Sequence, residues 1–186
     1  MRLEIKFGGL GGQGIITAGY ITAKAASIYD GKESAFTQDY SAEARGGAST
    51  SEVIISDEKI TYPQVLEADY LVLMSQSAYR DYLHKLKKGG MLIIDEDLVK
   101  PDDKAKDFKI YKIPATRFAE EIGNPIVANI VMLGFFTAIT GVVSKNAMWK
   151  SIEERIPKRF LELNERAFLK GYDYGEKIKN GVVELS

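Results

Sequence analysis

A glycine-rich run that separates a predicted strand from a predicted helix is the feature that most constrains the fold. Residues 3–7 alternate apolar and polar side chains, which predicts a strand, and the mostly glycine run GGLGGQG follows at positions 8–14. Residues 15–29 then carry apolar side chains at helical spacing. Strand, glycine loop and helix in this order are typical of α/β folds, in which the loop can approach a phosphate closely.

Strand-like and helical segments continue to alternate along the chain, which predicts an α/β fold with helices on both faces of a sheet. We expect one three-layer α/β/α domain over residues 1–186, with a mostly parallel or mixed sheet and a Rossmann-like glycine loop after its first strand. A turn at residues 57–58 and the apolar pair Ile60 and Tyr62 predict a hairpin. Further strands are predicted at residues 34–38, 50–56, 69–74, 91–94 and 108–113.

Glycine and proline positions set the ends of the predicted helices. Gly89 and Gly90 are expected to end a helix that begins at residue 77, and Asn124 and Gly141 to delimit a largely apolar one. That apolar stretch is interrupted by polar and small residues and lacks interfacial anchors, so we expect a buried helix and no membrane span. The helices are predicted at residues 15–29, 77–86, 114–123, 125–141, 146–155 and 160–177.

Sulfur and imidazole chemistry is almost absent from the sequence. There is no cysteine, which excludes disulfides, thiol nucleophiles and cysteine-held iron–sulfur clusters in this chain. The one histidine, His84, lies among lysines and is predicted to be solvated. The acidic residues 95–97 follow a strand and could hold Mg²⁺, but such residues more often form a turn and a helix cap. We predict no catalytic residue and no metal site.

The charge balance gives no electrostatic reason to expect nucleic acid or a membrane surface as a partner. The 25 basic and 26 acidic residues leave a net charge of -1. A basic excess over residues 145–170, including Lys158 and Arg159, is predicted to be a solvated helical face or a docking surface for an acidic partner. The first residues contain no apolar signal core, so we expect a cytoplasmic protein.

Two segments could bind an anion. Gly9-x-Gly11-x-x-Gly14 matches a dinucleotide-binding loop, and Glu33 could be the ribose-binding carboxylate for NAD. The alternative for these glycines is tight packing of the helix on the sheet.

In the second segment, Arg45 lies beside Gly46 and Gly47, where a guanidinium and bare backbone suit a phosphate. The alternative is an ion pair of Arg45 with Glu43 or Asp39 that holds the loop.

The sequence motifs resemble the gamma subunits of 2-oxoacid:ferredoxin oxidoreductases over nearly the whole chain. One departure is Ser41, where the family usually has glycine after the tyrosine. The resemblance rests on GGLGGQG at 8–14 followed by Ala18-Gly19, YSAEARGGAS at 40–49, VIISDE at 53–58, Tyr62-Pro63, LKKGG at 86–90, IPAT at 113–116, Gly123-Asn124, Asn129 and Leu133-Gly134.

The resemblance implies a subunit of a complex that oxidatively decarboxylates a 2-oxoacid, forms the acyl-coenzyme A and reduces ferredoxin. Thiamine diphosphate and Mg²⁺ are then expected between alpha and beta subunits, and iron–sulfur clusters on beta or a ferredoxin-like delta subunit. The sequence EARGGAS at residues 43–49 resembles the 2-oxoglutarate type of these enzymes slightly more than the pyruvate type. This chain would bind no cofactor alone but would hold the phosphates of coenzyme A, through Gly9, Gly11, Gly12, Gln13, Gly14, Arg45, Gly46, Gly47 and Ser49.

Two other functions remain open at this point. A free-standing NAD(P)-binding oxidoreductase would use the glycine loop and Glu33, although the sequence offers no obvious proton donor. A purely structural adaptor subunit would bury the glycine loops at a subunit interface.

Overall fold

A single sheet of six strands runs through the molecule. The structure is a computed structural model that describes residues 1–40 and 48–182, and the strand order in the sheet is β2-β3-β1-β4-β5-β6. The strands are β1 (Arg2–Leu10), β2 (Glu33–Tyr40), β3 (Ala48–Ser56), β4 (Ala68–Leu73), β5 (Leu86–Asp95) and β6 (Lys109–Ile113).

The sheet is mixed because one strand runs against the others. Strands β1, β4, β5 and β6 are parallel neighbours, whereas β3 is antiparallel to both β1 and β2. A parallel pair needs a crossover of a dozen or more residues, and only seven residues separate β2 from β3. The short connection explains why β2 and β3 pair antiparallel. Strand β3 lies between β1 and β2, and these two strands run in the same direction.

Helices cover both faces of the sheet, as predicted, but unequally. They are α1 (Ile15–Lys24) continued by a π-helical turn (Ala25–Tyr29), α2 (Gln76–Tyr82), α3 (Ala115–Ile122), α4 (Ala128–Thr140), α5 (Lys145–Arg155) and α6 (Leu161–Lys179), with 3-10 turns at Leu83–Lys85, Asp103–Ala105, Pro125–Val127 and Lys158–Phe160. The main core joins the sheet to every helix except α2, which packs with a smaller cluster on the opposite face.

Helix α4 is the centre of the main core and confirms the predicted buried apolar helix. Phe136 meets Phe7 of β1 and Tyr70 of β4 edge to face, with ring centroids 5.6 and 6.1 Å apart. Gly141 ends the helix with a φ of 61°, a conformation that glycine adopts without strain. In the part of the chain that the structure describes, no helix is long and apolar enough to cross a membrane.

The predicted helix at residues 77–86 is wrong at its C-terminal end. Helix α2 ends at Tyr82, a 3-10 turn follows, and β5 already begins at Leu86. Gly89 and Gly90 lie within β5 and not after a helix. The pairing of β4 with β5 is irregular there, since Ala68 pairs with Leu86 but Tyr70 pairs with Met91. The glycines fit this irregular stretch, in which Gly89 has a φ of 83°.

The predicted hairpin after β3 is also wrong, because residues 57–67 form no strand. A side chain of β1 holds this segment: the Arg2 guanidinium donates to the carbonyl oxygens of Tyr62 and Gln64 at 2.8 and 3.3 Å. Val65 packs on Ile54. Pro63 in this segment has no N–H to give to a ladder.

Candidate anion-binding pocket

A pocket of about 510 Å³ opens where β1 ends and three helices begin. Its walls come from the glycine loop, the first turn of α1, the start of α4 and the start of α6. The lining residues are Gly11, Gly12, Gly14, Ile15, Ile16, Thr17, Ser49, Asn124, Ile126, Val127, Asn129, Ile130, Ile156, Pro157, Phe160, Leu163 and Asn164.

The glycine loop is shorter than the sequence run, because β1 extends to Leu10 and includes Gly8 and Gly9. Two glycines in the turn have left-handed backbone, with φ of 88° at Gly12 and 74° at Gly14. A Cβ at Gly12 would meet nothing within 4 Å, whereas one at Gly14 would lie 2.7 Å from Cγ of Asn129. Gly12 therefore faces open space, and Gly14 allows α4 to approach the loop.

Gln13 and Asn129 fix the loop from two sides. The Gln13 side-chain oxygen accepts a hydrogen bond from the Leu10 N–H at 2.7 Å, and its Nε2 donates to the Met74 carbonyl at 2.9 Å. Asn129 Nδ2 donates to the Gly14 carbonyl at 3.3 Å. The loop is therefore tied to the strand end after β4 and to α4, so its shape is set before a ligand binds.

One helix that borders the pocket, α1, begins without a capping side chain. Gly14 precedes it, and within the described residues no side chain caps its first turn. Helix α6 continues the 3-10 turn Lys158–Phe160, so its first N–H, that of Leu161, already donates to the Lys158 carbonyl. Asn124 caps the 3-10 turn before α4 by accepting from the Ile126 N–H at 3.1 Å. First-turn N–H groups and the helix dipole both favour an anion, so the start of α1 gives the pocket positive character.

The described lining of the pocket offers binding groups and no acid–base groups. Among the described residues, no titratable side chain lines it, and its polar side chains are hydroxyls and amides. Its rim is apolar, with Ile126 exposed to 69% and Phe160 to 43%. Such a surface can hold a phosphate and an uncharged ligand body.

The candidate residues from the sequence divide into three groups. Gly11, Gly12, Gly14 and Ser49 line the pocket, and Ser49 is the second residue of β3. Gly9 and Gln13 lie behind it: a Cβ on Gly9 would come within 2.5 Å of the Gln13 side-chain oxygen, so Gly9 makes room for that side chain. Arg45, Gly46 and Gly47, together with Ser41, lie outside the described residues.

The far wall of the pocket carries no local sequence signal. Asn129 and Gly123-Asn124 belong to the motifs of the resemblance, but nothing in the local pattern connects them to the glycine loop. Phe160 and Asn164 come from the start of α6, and Asn164 donates to the Phe160 carbonyl at 2.9 Å. Lys158 and Arg159 are exposed beside this wall, as predicted.

Glu33 cannot be a ribose ligand for a dinucleotide in this pocket. It is the first residue of β2 and pairs with Ser56, while the other end of β2 pairs Tyr40 with Ser49 beside the glycine loop. Seven residue steps at about 3.3 Å place Glu33 about 23 Å from that end. The Rossmann spacing fails because β2 is not the neighbour of β1: β3 lies between them.

Residues 95–97 form a turn and bind the first turn of α3, which is the alternative to a Mg²⁺ site. Asp95 is fully buried and accepts from the Thr116 N–H and hydroxyl at 2.9 and 2.7 Å and from the Asp97 N–H at 3.1 Å. Asp97 binds Arg117 through two 3.0 Å hydrogen bonds, which raise the pKa of that guanidinium. Residues 1–40 and 48–182 contain no group of three or more acidic or histidine side chains that could hold a metal.

Replacing Asp95 by alanine is expected to lower the free energy of unfolding by about 3 kcal/mol, because the Thr116 and Asp97 donors lose their buried acceptor and the first turn of α3 loses the carboxylate that binds it. Urea denaturation measures this loss. Asp107→Ala, at an exposed position of the same part of the chain, is the control and should change the value by less than about 0.5 kcal/mol. Equal effects of the two substitutions would contradict the capping role.

His84 lies in the 3-10 turn after α2 and is exposed, in agreement with the predicted solvated position. It is far from the pocket lining in sequence and is not among its residues.

Comparison with known proteins identifies this architecture. The mixed six-stranded sheet with helices on both faces matches the gamma subunit of a keto/oxoacid ferredoxin oxidoreductase from Geobacter sulfurreducens, with a TM-score of 0.84 and 44% identity over 94% of this chain and 97% of that one. A 2-oxoglutarate:ferredoxin oxidoreductase from Magnetococcus marinus, with 2-oxoglutarate, coenzyme A and succinyl-CoA bound, also matches at a TM-score of 0.84. That match is 26% identical and covers 95% of this chain but 31% of the longer one.

Sequence comparison gives the same result. The profile of the pyruvate ferredoxin/flavodoxin oxidoreductase family matches residues 4–174. The 2-oxoglutarate synthase subunit KorC of Methanocaldococcus jannaschii is 53% identical over 180 residues, or 96% of each chain. The pyruvate synthase subunit PorC of Methanothermobacter thermautotrophicus is 36% identical over 181 residues, 95% of this chain and 98% of that one.

The fold is thus that of an oxidoreductase gamma subunit. The chain belongs to the pyruvate ferredoxin/flavodoxin oxidoreductase family, and the resemblance to gamma subunits of 2-oxoacid:ferredoxin oxidoreductases is confirmed.

Proposed function

We propose that this gamma subunit belongs to a complex that oxidatively decarboxylates 2-oxoglutarate and passes electrons to ferredoxin, and that its pocket holds the phosphates of coenzyme A. The observation that carries the second part is the pocket itself. A rigid glycine loop leads there into the uncapped start of α1, and no titratable side chain lines the pocket within the described residues.

Coenzyme A fits the two halves of this surface. Its phosphates suit the N–H groups at the start of α1 and the open backbone at Gly12. Its uncharged arm suits the apolar rim at Ile126 and Phe160. A volume of about 510 Å³ is typical of a small-molecule site. The coenzyme A bound in the Magnetococcus marinus relative supports the same ligand class.

The names of the relatives support 2-oxoglutarate over pyruvate as the oxoacid. KorC subunits of 2-oxoglutarate synthases are 53% and 47% identical to this chain, whereas a pyruvate synthase subunit is 36% identical. The substrate contacts themselves are expected on other subunits. A reconstituted complex should form succinyl-coenzyme A from 2-oxoglutarate much faster than acetyl-coenzyme A from pyruvate, and the reverse preference would overturn this assignment.

The redox steps would fall to partner chains. The sequence contains no cysteine for a cluster, and the pocket contains no proton donor among the described residues. Alpha and beta subunits, and a ferredoxin-like delta subunit where one exists, would carry thiamine diphosphate, Mg²⁺ and the iron–sulfur clusters. An NAD(P)-dependent role is disfavoured, because Glu33 is at the wrong end of β2.

Arg45 is proposed to pair with a phosphate of coenzyme A. It lies outside the described residues, in the segment between β2 and β3, and both strands end beside the pocket. A charge-assisted hydrogen bond contributes about 1.5–3 kcal/mol, so Arg45→Ala in the complex should raise the KM for coenzyme A about 10- to 100-fold. Arg45→Lys should recover part of this loss, because the ammonium lacks the planar fork.

The half-reaction that needs no coenzyme A separates binding from folding. Release of CO₂ from the 2-oxoacid should run at its normal rate in the Arg45→Ala complex. If Arg45 instead holds the loop by pairing with Glu43 or Asp39, the substitution should lower the melting temperature and slow both half-reactions together. An unchanged KM in a fully assembled complex would rule out the phosphate contact.

A further inference from the structure

The outer edge of strand β2 is a second candidate binding surface, separate from the pocket. We propose that it binds an extended segment of a partner polypeptide, which adds to the sheet as a further strand. Strand β2 is the end member of the sheet and is eight residues long. In an antiparallel pair about half of the backbone N–H and C=O groups point away from the neighbour, and within the described residues no strand receives those of β2.

The two edges of the sheet differ in the features that protect an edge from pairing. At the other edge, β6 has five residues, and Lys109 and Lys112 are two of them. Short length and lysine are the usual means by which proteins prevent edge-to-edge pairing. The sequence of β2, ESAFTQDY, contains neither lysine nor proline. Strand β2 therefore keeps the features of an edge that accepts another strand.

A groove of about 310 Å³ runs beside this edge, between β2 and the helix formed by α1 and its π-helical turn. Ile28 in the π-helical turn is 64% exposed there, and Tyr20 of α1 is 40% exposed. Phe36 of β2 meets Tyr20 edge to face, with centroids 5.9 Å apart. An added strand would send alternate side chains into this groove, as in other complexes formed by strand addition. Those side chains should be apolar.

The cations beside the groove already have partners. The ammonium of Lys24 pairs with Glu154 at 2.6 Å, and the guanidinium of Arg155 lies 4.8 Å from the centre of the Tyr20 ring. The groove therefore has no strong charge of its own to attract an acidic segment.

The acidic side chains on the opposite face of β2 indicate that the partner segment carries basic residues. The register with β3 places Glu33, Thr37 and Asp39 on the face away from α1, and Phe36 on the groove face. The two charged residues of β2 are both acidic and both exposed. A segment paired along β2 would complement them with basic residues opposite Glu33 and Asp39 and an apolar residue opposite Phe36. The expected pattern is basic-x-x-apolar-x-x-basic.

A second copy of this chain fits the edge less well than such a segment. Antiparallel pairing of two β2 strands centred on Phe36 would place Glu33 of each copy opposite Asp39 of the other. Like charges directly opposite each other destabilise a strand pair. The charge pattern therefore favours a different polypeptide with basic residues.

A charge-swap binding experiment tests the proposal on the full chain. The probe is a fluorescent peptide, Lys-Val-Thr-Ile-Thr-Val-Lys, and its counterpart has glutamate at both ends. By fluorescence anisotropy, wild type should bind the lysine peptide about tenfold more tightly than the glutamate peptide. The double variant Glu33→Lys, Asp39→Lys should reverse this order. The control Asp107→Lys, Asp173→Lys changes the net charge equally at exposed positions outside β2 and β3 and should keep the wild-type order.

Hydrogen–deuterium exchange of the same samples locates the bound peptide. The amides of residues 33–40 should exchange more slowly when the lysine peptide is bound, since their outward N–H groups gain acceptors. Equal binding of the two peptides to wild type, or protection confined to other segments, would overturn the proposal. A wild-type dimer in sedimentation that the Glu33→Lys, Asp39→Lys variant loses would also overturn it, because the occupant would then be a second copy.

Discussion

Substitution of Gly171 by valine is expected to lower the free energy of unfolding by more than about 3 kcal/mol. Helices α4 and α6 touch through their backbones at this point. A Cβ on Gly171 would lie 2.8 Å from the carbonyl carbon of Val131, and one on Gly134 would lie 2.8 Å from the Tyr172 backbone nitrogen. Because both neighbours are backbone atoms of buried helices, the side chain can be admitted only if the helices separate.

Asp173→Val is the matched control for this prediction, since it introduces the same residue into the same helix at an exposed position. It should change the free energy of unfolding by less than about 1 kcal/mol, the scale of helix propensity. Urea denaturation of both variants measures the difference. If Gly171→Val is as stable as Asp173→Val, the close contact of α4 with α6 does not determine the stability of the fold.

The second large effect is expected in the glycine loop, where Gly14→Ala should cost about 3 kcal/mol and Gly12→Ala about 1 kcal/mol. Both residues have positive φ, which costs a residue other than glycine about 1–2 kcal/mol. Only at Gly14 does the new Cβ also collide with Asn129, whereas at Gly12 it enters open space. The difference between the two melting temperatures therefore measures the contact of the loop with α4.

A double variant separates the collision from the backbone strain. Asn129→Ala removes the Asn129 amide that the Gly14 Cβ would meet, so Gly14→Ala combined with Asn129→Ala should be more stable than Gly14→Ala alone. If the double variant is less stable by the sum of the two single losses, the collision is not the cause.

Local pattern was sufficient where one element carried its own signal. The apolar run with Asn124 before it and Gly141 after it predicted a buried helix, and α4 is that helix. The alternation at residues 3–7 predicted β1, although it could not show that the strand continues through Gly8 and Gly9. Glycine is compatible with both strand and turn, so the end of β1 depends on its pairing with β3 and β4.

Long-range pairing explains the predictions that were wrong. Gly89 and Gly90 look like a helix stop, but they lie in an irregular part of β5 whose position is set by β4. Glu33 has the spacing of a ribose ligand, but the sheet inserts β3 between β1 and β2. In both cases the residue types were read correctly, and the neighbour that decides their role is distant in sequence.

Only part of the candidate site could be predicted, because the rest depends on contacts between residues that are distant in sequence. The glycine loop is a local signal, and Gly11, Gly12 and Gly14 do line the pocket. The wall that makes the loop a pocket comes from residues more than a hundred positions away, at the starts of α4 and α6. Phe160 and Asn164 carry no motif of their own, so only the packing of α6 on α4 reveals them.

Hydrogen–deuterium exchange of the assembled complex, with and without coenzyme A, tests most directly whether this subunit holds the coenzyme. Binding should slow exchange in the peptides of this chain that contain residues 11–17, because the first-turn N–H groups of α1 would face the phosphates. It should also slow exchange at the start of α6, which lines the same pocket. Peptides from α2, on the other face of the sheet, should be unchanged. A complex that forms acyl-coenzyme A while exchange at residues 11–17 and 160–164 stays the same would contradict the assignment.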